Sequence, residues 1–194
     1  MRVRLVATVL ASMLMASWPV LGAEKYREIE VLNGGVIRGQ VTWEGEVPKE
    51  ASTEVPVAAA QQAPCRCRKV SLDRIRLDEK TRGLAGTIVF IEKISAGKKM
   101  PSPGIDLLTG KEALLDQVNC RYTPDRMVVA PGTQLAITSS DNTPHNVNAR
   151  MGVEQLFNLQ FANKGTRLKD ERTSVGNKPG VISLGCNAGH PWMS

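Results

Sequence analysis

A chain of 194 residues with 25 Lys and Arg against 19 Asp and Glu carries a formal net charge of +6. That mild excess suits an acidic partner surface but does not demand nucleic acid. With aromatics at only 4%, the stacking platforms of a base-binding groove are not expected.

The chain opens with Arg2 and Arg4, runs through an apolar stretch from Leu5 to Leu21, and reaches the small residues Gly22 and Ala23 ahead of Glu24. That order of basic, apolar and small residues predicts a signal peptide over 1–23. The stretch is short and broken by Ser and Pro, unlike a membrane span. No second long apolar run follows, so no span is expected after cleavage. Losing Arg2 and Arg4 takes the net charge from +6 to +4. Export places the mature chain in the periplasm or outside the cell, where paired cysteines oxidise.

Val36 to Trp43 alternates, with Ile37, Val41 and Trp43 on one face and Arg38, Gln40 and Thr42 on the other, which predicts a half-buried strand. Residues 46–64, rich in Pro, Ala, Glu and Gln, read as a loop. The basic residues between Cys65 and Arg82 read as a solvated face. Thr87 to Ile91 is a β-branched and aromatic run, predicting a buried strand. Residues 98–110 read as a loop, and Leu107 to Val118 as the place for a short helix. From Asp116 the pattern sharpens. Strands are predicted over 126–129, 134–138, 157–161 and 181–186, with His145 starting another after the polar loop 139–144. Short strands between Gly/Pro turns predict an all-β sandwich. Residues 24–115 form an N-terminal β region, either an extension or a small β subdomain, and 116–194 a second β domain.

Ile182, Leu184 and Cys186 share one parity of the last strand, so Cys186 points to the buried side at its end. The loop beyond it can fold His190 and Met193 back over the sulfur. The only other histidine is His145. Two imidazoles, a thiolate and a thioether are the donor set of a type 1 (blue) copper site, trigonal His₂Cys with a weak axial Met. Thiolate and thioether favour Cu(I) and imidazole accepts Cu(II), so a rigid β scaffold holding both kinds suits electron transfer.

Thr133 to Thr138, Asp141 to Val147, Gly180 to Cys186 and His190-Pro-Trp-Met193 resemble cupredoxins of the plastocyanin and amicyanin type. The resemblance is nearest to secreted methylamine-utilisation or plastocyanin-like proteins. They share segments like Gly35 to Gly45 and Leu115 to Pro124, so the resemblance spans most of the mature chain. It implies a Greek-key β-sandwich of cupredoxin type. His145, Cys186 and His190 would be equatorial copper ligands and Met193 axial, with Asn146 helping to hold the sulfur through hydrogen bonding. It also implies redox protein partners in the cell envelope. The sequence departs from the family in three ways. The second His stands four residues after the Cys rather than three, and Asp125 stands where the family often has His. The family also continues after the Met into a closing strand where this sequence stops at Ser194, so either the sequence is a fragment or that strand is missing.

If Cys186 binds copper, Cys120 is left to pair with Cys65 or Cys67; otherwise two disulfides form and one takes Cys186. The expected function is therefore an exported electron carrier, not an enzyme. One alternative is a periplasmic copper-handling protein using Cys65 and Cys67; another is a metal-free β-sandwich that binds a partner and keeps Cys186 in a disulfide. No haem, phosphate-loop or nucleophile motif is present.

Overall fold

A computed structural model describes residues 26–48, 52–73 and 75–194. The signal peptide predicted over 1–23 lies outside these residues. The fold is all-β. In chain order come β1 (Arg27–Glu28), β2 (Ser52–Pro56), helix α1 (Ala59–Cys65), β3 (Lys69–Asp73), β4 (Ala96–Gly97), β5 (Ile105–Asp106), β6 (Lys111–Glu112), β7 (Leu114–Gln117), β8 (Tyr122–Thr123), β9 (Ala136–Ser139), β10 (His145–Met151), β11 (Glu154–Phe161), β12 (Arg167–Leu168) and β13 (Ser183–Gly185). Among the described residues, no helix is long and apolar enough to cross a membrane.

Two sheets build the body that carries the site. One is four-stranded, in the order β12-β9-β7-β8, with β7 and β9 parallel; the other is three-stranded, β11-β10-β13, and wholly antiparallel. Their facing residues belong to one buried cluster. Leu115 and Ile137 come from the first sheet, and Val147, Ala149, Phe157 and Phe161 from the second. Each large side chain buried there contributes about 1.5–3 kcal/mol of transfer free energy. Met193 and Trp192 complete the same cluster, so the segment after β13 is part of the core.

The N-terminal region departs from the sequence reading. Alternation marks a face, but a strand also needs a hydrogen-bonded neighbour. Among the described residues, 36–43 find one bridge, Thr42 to Gly83, and Ile37 is exposed. Thr87 to Ile91 forms no strand, and Val89 and Phe90 are 76% and 77% exposed. The short helix expected within 107–118 is instead a turn followed by β6 and β7. Conversely, the segment read as a loop holds β2 and α1, where consecutive Ala and Gln favour helix. Strand β7 begins at Leu114, ahead of the expected domain start at 116.

The β7–β8 hairpin closes through Asn119 and Cys120. Val118 and Arg121 exchange backbone hydrogen bonds, and the two turn residues take φ of 53° and 52°. Two consecutive positive φ values match a hairpin twist, although only Asn is at ease there. Side chains from elsewhere hold this turn, and it reaches the site.

Candidate metal centre

Strand parity aims the first candidate donor. In β10, His145, Val147 and Ala149 alternate inward and are buried, so the imidazole enters the core at the sheet's end. Strand β13 pairs with β10 through Asn148 with Gly185 and Ala149 with Leu184. The same register continued by one residue sets Cys186 beside Val147. The chain then turns back on itself. Met193 donates its N–H to the His190 carbonyl at 3.0 Å, and Cys186 donates to the Met193 carbonyl at 3.2 Å. This closed loop places His190 and Met193, each 1% exposed, under the same roof as Cys186.

Three donor atoms converge. His145 Nδ1 lies 3.2 Å from His190 Nδ1, and Cys186 Sγ lies 4.0 Å and 3.7 Å from those two nitrogens. The point equidistant from the corners of this triangle lies inside it, about 2.1 Å from each, within the usual bond lengths of about 2.0–2.3 Å for imidazole and thiolate on zinc. The residues therefore fit a metal ion without rearrangement. Met193 is buried in the same cluster.

The surrounding groups fix these donors. Asp141 Oδ2 lies 2.9 Å from His145 Nε2, and both side chains are buried. A carboxylate only accepts, so Nε2 carries the proton and Nδ1 is left as the ligating atom. Asp141 also accepts the N–H of Asn119 at 2.6 Å and of Cys120 at 2.7 Å. Asn146 ties the strand to the loop: its Oδ1 accepts from Asn187 N–H at 2.6 Å and its Nδ2 donates to Asn158 at 2.6 Å. Burial alone would push the Cys186 thiol up. The hydrogen bond with His145 and the N–H groups of Asn146 and Ala188 outweigh that and hold it below its ordinary value. Burial opposes charge on His145 too, but the Cys186 and Asp141 partners raise it. Burial and the neighbouring His145 bring His190 down to about 4, which leaves its imidazole neutral and free to ligate.

Cys65 and Cys120 form the disulfide, which leaves Cys67 half-buried and free and Cys186 buried and free. A Cys65–Cys67 metal pair and a Cys186 disulfide are both absent from this arrangement. The disulfide lies against the centre. A ring nitrogen of His190 is within 4.8 Å of both its sulfurs, and Cys120 Sγ is within 4.8 Å of a His145 nitrogen and an Asp141 oxygen. Helix α1 packs over the ligand loop at the same place. Gly189 sits at φ +87°, and a Cβ there would come 2.8 Å from Gln61 Nε2.

The sequence reading brought His145, Cys186, His190, Met193 and Asn146 together and had Cys65–Cys120 as one of its two expected pairings; it missed Asp141, Trp192 and the closeness of the disulfide to the donors. Trp192 Nε1 donates to the Cys120 carbonyl at 2.9 Å. Asp141 is a carboxylate four residues before His145 in a polar loop, and loop spacing carries no face information, so only the fold shows that they meet. No protein-family model, curated protein or solved structure matches the chain.

Proposed function

We propose that this chain is a cupredoxin-type, type 1 copper protein that carries single electrons between redox partners of the cell envelope. The observation that carries the reading is the triangle of His145 Nδ1, His190 Nδ1 and Cys186 Sγ, sized for an ion about 2.1 Å from each. One thiolate with two imidazoles, and a Met193 buried in the same cluster as Cys186, favours copper over the harder divalent ions. Bound copper would supply one-electron chemistry by alternating between Cu(I) and Cu(II).

The residues do the rest. The Asp141 carboxylate keeps the His145 ring turned with Nδ1 toward Cys186. Asn146 pins the loop at Asn187, so the sulfur stays put when its charge changes. A site held this tightly from several elements changes shape little between oxidation states. Partner access is short: Asn187, Ala188 and Gly189 are exposed and lie between Cys186 and His190 in the chain. Beside them a depression of about 150 Å³ is lined by Pro144, Asn146, Gln160 and Ala188, among others. A Greek-key sandwich closure and a periplasmic or secreted location belong to the same proposal, the latter resting on residues 1–23.

The test is the visible and electron paramagnetic resonance spectrum of the mature chain after adding Cu(II), beside Cys186→Ser. An intense thiolate-to-copper charge-transfer band, lost in the variant, is expected. A colourless protein with copper bound, or a band that survives Cys186→Ser, would overturn the reading.

A further inference from the structure

The disulfide next to the proposed electron-transfer centre is the second place where soft ligands meet. Cys65 Sγ, Cys120 Sγ and a ring nitrogen of His190 all lie within 4.8 Å of one another, and all three residues are buried, at 1%, 0% and 1% exposure. His190 Nε2 is buried and, among the described residues, has no hydrogen-bond partner. A buried polar nitrogen left without a partner is costly. Gln61 Oε1, on the helix that carries Cys65, is likewise buried without one.

We propose that the dithiol form of this chain, before Cys65 and Cys120 are joined, holds a Cu(I) ion between those two sulfurs and His190. Two thiolates and an imidazole in a dry pocket are a soft three-donor set, the kind that selects Cu(I). Each thiol releases its proton as it ligates. The site exists only in the reduced chain. When a disulfide-bearing oxidant takes two electrons from the bound thiolates and two protons from solvent and leaves as two thiols, the Cys65 and Cys120 sulfurs bond to each other, the Cu(I) ion is released and the set is dissolved. His190 is then free for His145 and Cys186. The two sets share one imidazole, so they are successive homes for one ion, and closing the disulfide would pass His190 from the first to the second. The Cu(I) site itself uses neither His145 nor Cys186 and stands apart from the electron-carrier reading; only the hand-over of the ion rests on that reading.

The test uses the full-length mature chain with Cys67→Ser and Cys186→Ser, which leaves Cys65 and Cys120 as the only cysteines. The protein is reduced with a phosphine in denaturant and refolded without oxygen, then titrated with Cu(I) against a chromogenic chelator. One equivalent of Cu(I) retained by the reduced chain, and none by the same chain after oxidation, is the expected result. Adding His190→Ala should weaken retention at least tenfold, and copper-edge X-ray absorption should show two sulfurs and one nitrogen. If reduction loosens the fold, Cu(I) should restore the native circular dichroism, and His190→Ala should abolish that restoration. No retention by the reduced chain overturns the proposal, as does retention indifferent to His190→Ala. The charge-transfer band of the parent chain is untouched by either outcome, so the two readings fail separately.

Discussion

Asp141 receives the N–H of Cys120 and faces Nε2 of His145 with the same oxygen, Oδ2, at 2.7 Å and 2.9 Å. One carboxylate thus joins the disulfide-bearing turn to an imidazole of the candidate metal centre. Cys120 is tied on its other side as well, through its carbonyl to Trp192, two residues beyond His190. The left-handed turn at Asn119 and Cys120 is held by the carboxylate that orients His145 and by Trp192, whose ring meets His190 edge-on at 5.4 Å. Fold and site share parts here, and the consequences are measurable.

Asp141→Asn should weaken metal binding. The amide has one acceptor where the carboxylate serves three partners, and its NH₂ would face N–H groups. His145 would lose the group that sets its tautomer. Losing such a partner typically lowers metal affinity about 10–100-fold. A chelator competition with Cu(II) on the variant should show that fall while the charge-transfer band remains, because Cys186 is untouched. An unchanged affinity would mean that the loop geometry alone sets the ring.

Acid should destabilise the metal-free chain through His190. Its folded value is about 4 against an ordinary 6.5. Between those values the unfolded chain holds a proton that the folded chain lacks, so stability rises with pH. The contribution is complete above pH 6.5, declines as pH falls, and is gone below about 4. His145 is shifted upward, so its contribution has the opposite sign: complete below 6.5 and lost as pH rises through its folded value. Two-dimensional NMR of the apoprotein should show one imidazole titrating near 4 and the other above its ordinary range. Urea midpoints for His190→Gln should fall less between pH 6.5 and 4 than those of the parent.

Met193 separates packing from ligation. Met193→Leu nearly conserves volume and should cost less than about 1.5 kcal/mol of stability, whereas Met193→Ala in so buried a position should cost about 2–5 kcal/mol. If the thioether also serves the metal, Met193→Leu should move the midpoint potential of the copper-loaded protein despite its near-neutral effect on folding. A potential equal to the parent's would make Met193 a core residue and nothing more.

How much of this was legible in the sequence depends on which residues carry a period. His145 is readable because Val147 and Ala149 continue its face, and Cys186 because Ile182 and Leu184 lead up to it. The closing of the loop over Cys186 followed from its short span to Met193. Asp141 was not readable, because its meeting with His145 and Cys120 depends on a hairpin 21 residues away in the chain. Helix α1 was hidden by Pro64 in its last turn, which drew attention from the helix-forming Ala and Gln before it. The run from Thr87 to Ile91 has strand composition but, among the described residues, no partner strand, and composition cannot supply one.

The disulfide should be the main covalent brace of the fold. It spans 55 residues and fastens β2, α1 and β3 to the β7–β8 turn. In the chain-entropy account a loop of that length gives about 4 kcal/mol, within a measured range of about 2–5. Cys65→Ala with Cys120→Ala should therefore lower the urea midpoint substantially. The loss should concentrate in the α1 region and the Asn119–Cys120 turn, read as faster amide exchange there. The turn keeps its Asp141 and Trp192 hydrogen bonds in this variant, so both imidazoles should stay oriented and the copper-loaded spectrum should persist. A spectrum abolished together with stability would mean that the bond between Cys65 and Cys120, not the carboxylate, holds the ligands in place.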